Sequence, residues 1–310
     1  MGFNESTKGV YTIAVTPFLP DGQVDRDSID SMVDFYLEAG VDGITILGIM
    51  GEAQKLDQSE SLEITRQVVK RAGKVPVVVG VSSPGFAAMR SLSRSAMDLG
   101  AAGVMIAPPS NLRTDDQIIG YFRQAIEAVG GDVPWVLQDH PLILTVVMSP
   151  RVIRQIIQDH PSCCMLKHEE WPGLEKISTL RNFEADGSMR HISILCGNGG
   201  LFLDFEMARG ADGAMTGYAF PDMLVELVKL QARGDWVAAQ NLFDSHLPVL
   251  RYEHQTGVGL AVRKHVLMKR GAIKHDAQRR PATPLSQQAQ EEVGYLLRRL
   301  AEHDPRAAGL

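Results

Sequence analysis

The sequence predicts an α/β fold, a (β/α)8 barrel with a helical C-terminal extension, and three observations carry that expectation. Short apolar runs rich in Val, Ile and Ala alternate with longer segments of helical period, the pattern of parallel strands each followed by a crossover helix. The apolar runs number eight. Three of them are introduced by nearly the same phrase: Glu38-Ala39-Gly40-Val41-Asp42-Gly43, Leu99-Gly100-Ala101-Ala102-Gly103 and Arg209-Gly210-Ala211-Asp212-Gly213. In each, the first glycine suits a left-handed helix end and the second a close entry into the sheet. Such repetition favours a closed barrel over an open, doubly wound sheet.

Strands are expected at 11–16, 43–47, 75–81, 103–107, 133–138, 163–167, 192–195 and 213–216. The amphipathic segments 26–39, 59–72, 86–99, 115–129, 150–159, 174–181, 201–209 and 222–232 are long enough to be the crossovers, and Asp, Ser or Thr often stands where a cap belongs. Beyond them, 236–247, 257–270 and 284–300 read as three more helices, separated by turn residues and by Pro248, Pro281 and Pro284. The expected organisation is a barrel over 1–233 and a helical region over 234–310 packed on it.

A chain of 310 residues, 45% of them apolar, can bury a large core. Its net charge of −6 is spread along the chain with no basic run, which excludes nucleic acid as the expected partner. No apolar stretch approaches the roughly 20 residues that span a bilayer, and residues 1–10 lack the apolar centre of a signal peptide, so a cytoplasmic protein without membrane association is expected. Cys163, Cys164 and Cys196 form no CxxC pair and lie inside apolar runs, as reduced core cysteines do, and Asn4-Glu5-Ser6 matches a glycosylation sequon that means nothing without a secretory signal. The nine histidines contain no HxH or HExxH arrangement, so no metal and no cofactor is expected.

In a barrel of this kind reactive groups stand at the C-terminal ends of the strands. The sixth run, Cys163-Cys164-Met165-Leu166-Lys167-His168-Glu169-Glu170, ends an apolar strand on a lysine that alternation places on one face with Cys163 and Met165. If that face is inward, the charged amine is disfavoured and a nucleophilic amine becomes available. The competing reading is a lysine that snorkels outward or pairs with Glu169 or Glu170. After the second strand, Gly48-Ile49-Met50-Gly51-Glu52 offers a tight loop whose N–H groups can face a carboxylate, or is a plain turn. After the fifth, Leu137-Gln138-Asp139-His140-Pro141 sets Gln138 and His140 on one side and Asp139 on the other, or forms a solvated loop. The seventh and eighth ends, Cys196-Gly197-Asn198-Gly199-Gly200 and Thr216-Gly217-Tyr218, give a weak phosphate-type signal that close substrate approach would also explain.

Taken together, these motifs resemble the dihydrodipicolinate synthase and N-acetylneuraminate lyase family from about residue 9 to the C-terminus. The matching phrases are Thr16-Pro17-Phe18 with Asp21-Gly22 and Asp25, Gly48 to Glu52, Pro141, Leu166-Lys167, Gly197 and Gly210-Ala211-Asp212-Gly213. The resemblance implies that Lys167 is a Schiff-base lysine, that the C-terminal region is helical and that the chain forms a homo-oligomer, a tetramer or a dimer. The departures are Ile49 and Met50 where the family usually has two threonines, Gln138 where it has a proton-relaying tyrosine, and Leu142-Ile143-Leu144-Thr145 where the lysine-pathway synthases carry an arginine. These disfavour dihydrodipicolinate synthesis. One branch, the 2-keto-3-deoxy-L-arabonate dehydratases, is similar in its Gln-Asp before the strand-five proline, in Thr216-Gly217 with Phe220-Pro221-Asp222, and in Glu253-His254-Gln255 with Gly257. The strand-two loop and the segment His168-Glu169-Glu170-Trp171 differ from that branch.

The resulting expectation is a lyase that condenses Lys167 with a 2-keto acid, a dehydratase or aldolase acting on a 2-keto-3-deoxy sugar acid. Gln138 and His140 would assist, with Glu52, His168 and Glu169 as further proton-transfer candidates; Gly48, Met50, Gly51, Glu52, Ser82, Gly197 and Asn198 would line the substrate site, with Ser83 as an alternative beside Ser82. The alternatives are a condensation with pyruvate of the dihydrodipicolinate synthase type, a catalytically silent sugar-acid-binding barrel, and a phosphate-binding barrel using Gly197 to Gly200.

Overall fold

The computed structural model describes residues 3–310. Strands β1 (Gly9–Ile13), β2 (Gly43–Ile46), β3 (Val77–Gly80), β4 (Gly103–Ile106), β5 (Trp135–Asp139), β6 (Cys163–His168), β7 (Ser193–Cys196) and β8 (Gly213–Ala214) close in sequence order into an all-parallel barrel, with β8 returning to β1. The crossovers are α1 (Arg26–Glu38), α2 (Gln58–Ala72), α3 (Phe86–Asp98), α4 (Asp115–Val129), α6 (Pro150–Asp159), α7 (Leu174–Ala185), α8 (Leu203–Ala208) and α9 (Pro221–Ala232), with a single-turn α5 (Pro141–Leu144) inserted after β5. Their starts are chemically marked: Asp57 and Thr114 make reciprocal capping boxes with Glu60 and Gln117, and Asp25 and Ser149 cap with one bond each.

All eight expected strands form, with shifted ends. β8 is shorter than its expected span, although Met215 and Thr216 still bond to β7 and β1 through Met215 N–H to Cys196 O and Ile13 N–H to Thr216 O, both 2.8 Å. The repeated phrase behaves as its glycines require. Gly40, Gly100 and Gly210 take φ of 76°, 97° and 97°, and a Cβ on Gly213 would fall 2.0 Å from the Gly9 carbonyl oxygen.

Two cores result. The large one fills the space between strands and helices, whereas the barrel interior holds a separate cluster of Tyr11, Ile13, Val78, Met105, Val136, Cys164, Met165, Leu195 and Met215. Here the face assignment of β6 needs correction. The register slips between Trp135 and Val136, which pair with Cys163 and Met165, so Cys164 is an extra, unpaired residue. This bulge turns Cys163 outward and leaves both Cys164 and Met165 facing in, so Lys167 shares its face with Met165 but not with Cys163. All three cysteines are free and buried.

Helices α10 (Trp236–Glu253), α11 (Gly259–Lys269) and α12 (Gln287–Ala301) complete the chain's helical region. The expectation that Pro248 separates two helices is corrected: it lies inside α10. Proline removes one backbone bond there, but burial of Phe243, His246, Val249 and Leu250 holds both halves in place. The continuation carries Glu253 to the β8–α9 loop, where its Oε2 accepts the Ala219 N–H at 3.2 Å. His246 ties the chain end down, with Tyr218 Oη 2.9 Å from Nδ1 and Asp304 Oδ2 2.8 Å from Nε2. No helix among the described residues is long and apolar enough to cross a membrane.

One buried carboxyl in this frame gives a stability test. Glu206 of α8 has burial pushing its carboxyl up to about 8, opposed by a hydrogen bond from the Cys196 thiol. The folded state keeps this proton to about pH 8 and the unfolded chain releases it near the ordinary 4.5, so stability falls as pH rises across that window. Glu206→Gln should therefore gain in melting temperature relative to the parent between pH 5 and pH 8, as read by circular dichroism. Parallel pH curves for the two proteins would refute this.

Candidate active site

The alternation that packs Met165 into the barrel interior also brings the next inward residue of β6, Lys167, to the C-terminal mouth. Its side chain is 6% exposed, and Nζ lies 2.9 Å from Oε2 of Glu169, whose side chain is 7% exposed. Glu169 is the following inward position, fixed between neighbouring strands by its own N–H bonded to Asp139 O (2.9 Å) and by Gly197 N–H bonded to His168 O (2.8 Å). The same Oε2 accepts from Gln138 Nε2 at 2.8 Å, and His140 Nδ1 stands 3.6 Å away. One carboxylate oxygen thus gathers an amine, an amide and an imidazole.

Electrostatics keep this carboxylate charged. Burial alone would raise its pKa, but Lys167, His140 and the Gln138 amide outweigh burial and hold it below the ordinary range. Burial lowers the pKa of His140, Glu169 opposing. Space for the carboxylate comes from Gly197: a Cβ there would lie 2.3 Å from Glu169 Cγ.

On the outer face of the same strands, Asp139 and His168 are fully buried. Lys176 from α7 donates to Asp139 Oδ2 (2.8 Å) and the Met148 carbonyl (2.7 Å) and pairs with Glu170 (3.0 Å). His168 thus lies on the opposite side of β6 from Lys167, and burial pushes its pKa down to about 4. That position removes it from the proton-transfer candidates.

The loop after β2 forms a 3-10 turn, Ile49–Gly51. The N–H groups of Gly51 and Glu52 close the turn onto Gly48 and Ile49 carbonyls at 3.0 Å each, which leaves those of Ile49 and Met50 as the first two donors of the turn, without an intrahelical acceptor. Met50 packs against the inner cluster. Glu52 goes elsewhere. Its carboxylate receives Lys264 Nζ (2.6 Å), Lys55 Nζ (2.8 Å) and the Arg279 N–H (3.1 Å), so it braces the C-terminal region instead of facing Lys167. Ser82 Oγ accepts the Ala107 N–H at 2.8 Å and joins the ends of β3 and β4.

Asn198 follows Gly197 in a left-handed conformation (φ 50°), and its Oδ1 is buried with no hydrogen-bond partner among the described residues. Beyond it, Trp171 lies edge-on to Phe202 (5.2 Å between centroids) and beside His254 (5.9 Å), an aromatic wall above β6 to β8.

A further residue, at the β8 end, is one that sequence reasoning missed. Arg263 of α11 donates from Nε to Glu253 Oε1 at 2.6 Å, and its Nη1 lies 2.5 Å from where a Cβ on Gly217 would be. Strand spacing could reveal Glu169 as the second residue past Lys167 on the same face; Arg263 enters from another part of the chain, with no comparable signal.

Comparisons with known proteins agree with the fold. The model of the dihydrodipicolinate synthetase family matches residues 6–300. A crystal structure of dihydrodipicolinate synthase from Rhodopseudomonas palustris superposes with a TM-score of 0.95 at 63% identity, over 96% of this chain and 99% of that one. The 4-hydroxy-tetrahydrodipicolinate synthase of Pelobacter propionicus is 34% identical over 78% of this chain and 81% of its own length. The L-2-keto-3-deoxyarabonate dehydratase of Azospirillum brasilense is 28% identical over 94% of each chain. With an inward lysine on strand six of a closed barrel and a family match over nearly its whole length, the chain belongs to the dihydrodipicolinate synthetase family, whose members are lyases.

Proposed function

We propose that this chain is a Schiff-base lyase in which Lys167 condenses with the C2 carbonyl of a 2-keto acid, and that Glu169 moves the protons. The observation that carries this reading is the buried contact of Lys167 Nζ with Glu169 Oε2 at 2.9 Å, reinforced by Gln138. Glu169 takes a proton from the Lys167 ammonium, and the freed amine attacks C2. The ammonium proton of the adduct passes to the former carbonyl oxygen, and Glu169 returns its own proton as that oxygen leaves as water, giving an iminium. The substrate carboxylate sits on the Ile49 and Met50 N–H groups, which need no side-chain donor.

The iminium acidifies C3. Glu169, again a carboxylate, removes a C3 proton, and the enamine expels the C4 hydroxyl, which departs as water with that proton; hydrolysis of the iminium then frees the product and Lys167. Gln138 orients the carboxylate, since an amide cannot transfer a proton as a side-chain acid or base near neutral pH. Asn198 accepts from a substrate hydroxyl or a water in this proposal, a reading supported by its buried Oδ1 having no partner among the described residues. The substrate class best supported is a 2-keto-3-deoxy sugar acid undergoing dehydration. The full-length likeness to the Azospirillum brasilense dehydratase and a carboxylate base beside the amide Gln138 both favour it. Condensation with pyruvate is the second reading, favoured by the relatives named as synthases. The site works in the cytoplasm and within a homo-oligomer in this proposal.

Intact-mass analysis after incubation with pyruvate or 2-keto-3-deoxy sugar acids plus borohydride should show a covalent adduct on the parent protein and none on Lys167→Ala. Absence of any adduct on the parent would turn the reading to a silent sugar-acid-binding barrel. Glu169→Gln should lower kcat by about 100-fold or more, the range of a lost general acid–base group. Gly197→Ala should keep the fold but displace Glu169, reducing kcat/KM at least about tenfold, the scale of a misplaced catalytic group. Steady-state rates near those of the parent in either variant would remove Glu169 from the mechanism.

A further inference from the structure

Two inward positions at the C-terminal ends of β7 and β8 are glycines, and each is occupied by a side chain from elsewhere. Gly197 makes room for Glu169. On β8, Met215 points into the barrel, so Gly217, two residues on, points the same way, and the guanidinium of Arg263 fills the place its side chain would take. A Cβ on Gly217 would lie 2.5 Å from Arg263 Nη1 and 2.8 Å from the Ile13 carbonyl oxygen. The guanidinium therefore enters the barrel mouth from the β8–β1 side, while Lys167 enters from β6.

Arg263 is rigidly set and incompletely used. Its Nε donates to Glu253 Oε1 at 2.6 Å, and Glu253 Oε2 is held by the Ala219 N–H at 3.2 Å. Neither Nη1 nor Nη2 has a hydrogen-bond acceptor among the described residues, and neither is sealed from solvent, although the side chain as a whole is only 6% exposed. A nearly buried guanidinium with spare donors beside Gly217 and the Ile13 carbonyl, at the C-terminal ends of β8 and β1, suits an oxygen ligand. Its charge is already balanced by Glu253, whose carboxylate is 2% exposed. A second carboxylate would leave this buried group with net negative charge, whereas hydroxyls would use the donors without that cost.

Resting on the Schiff-base reading above, we infer that Arg263, oriented by Glu253 over Gly217, binds the hydroxylated far end of the substrate and selects uncharged polyol chains over dicarboxylic 2-keto acids of the same length. The keto-acid end then lies at Lys167 on β6, with Arg263 on the β8–β1 side of the mouth. Arg263 acts as a specificity residue, and Glu253 as its positioning residue.

Borohydride labelling tests this with three probes: pyruvate, which has no far end; a five-carbon 2-keto-3-deoxy sugar acid; and 2-oxoglutarate. The parent should label faster with the sugar acid than with 2-oxoglutarate. In Arg263→Leu, and in Arg263→Lys, which keeps the charge but loses the fork, the ratio of sugar-acid to pyruvate labelling rates should fall by about tenfold or more, the scale of one lost charge-assisted hydrogen bond. Glu253→Gln should lower the same ratio. An unchanged ratio in both Arg263 variants, whether the two rates fall together or neither falls, would overturn the inference, and a parent that labels 2-oxoglutarate as fast as the sugar acid would overturn its choice of ligand. A parent that labels with none of the three would instead defeat the Schiff-base reading itself.

Discussion

Putting an ammonium and a carboxylate together inside a barrel is stable only when each has the other and the remaining lone pairs are met, because either alone would face several kcal/mol of desolvation. The Lys167–Glu169 pair imposes that constraint on everything near it. Gln138 supplies the further donor, His140 stands 3.6 Å away, and Gly197 leaves the volume the carboxylate occupies. The backbone cooperates, since the hydrogen bonds from Glu169 to Asp139 and from Gly197 to His168 extend the β5–β6–β7 ladder to this point. Lys167 does not snorkel outward; it pairs with Glu169, as the competing reading allowed, and both side chains are buried.

The outer face of the same strand ends repeats the logic with a structural purpose. Asp139, one residue from Gln138, has burial pushing its carboxyl up to about 6, with Lys176 opposing. Lys176 also binds Glu170 and the Met148 carbonyl, so α7 and the loop after β5 are clamped to β5 and β6. Alternation separates chemistry from scaffold here: residues 138 and 167 face the mouth, and residues 139 and 168 face the helices.

The C-terminal helices complete the barrel rim. Glu52, rising from the β2 loop, is spoken for by Lys264, Lys55 and the Arg279 amide, and Lys264 also donates to the Thr16 and Ala277 carbonyls at 2.8 Å. The neighbouring residue on α11, Arg263, turns to Glu253 and Gly217. Two successive basic residues of one helix thus serve different ends, one closing the fold and one facing the mouth.

The order of eight strands, the barrel they close and the lysine ending strand six were legible in the sequence because period-two and helical patterns are local, and a strand's C-terminal end in such a barrel is the reactive end by geometry. Glu169 was legible only as one acid among several, and its distinction from Glu52 came with the tertiary structure, which spent one carboxylate on Lys264 and brought the other to Lys167. The bulge at Cys164 reversed the facing of Cys163, since one unpaired residue changes which side chains point inward and no local pattern marks it. Pro248 was overridden by packing around α10, and Arg263 reached the mouth from a helix remote in sequence from the strands it meets. Local periodicity determines which elements form; a bulge's effect on facing and the partner each buried charge finds are long-range matters, decided when the whole barrel and its C-terminal helices close.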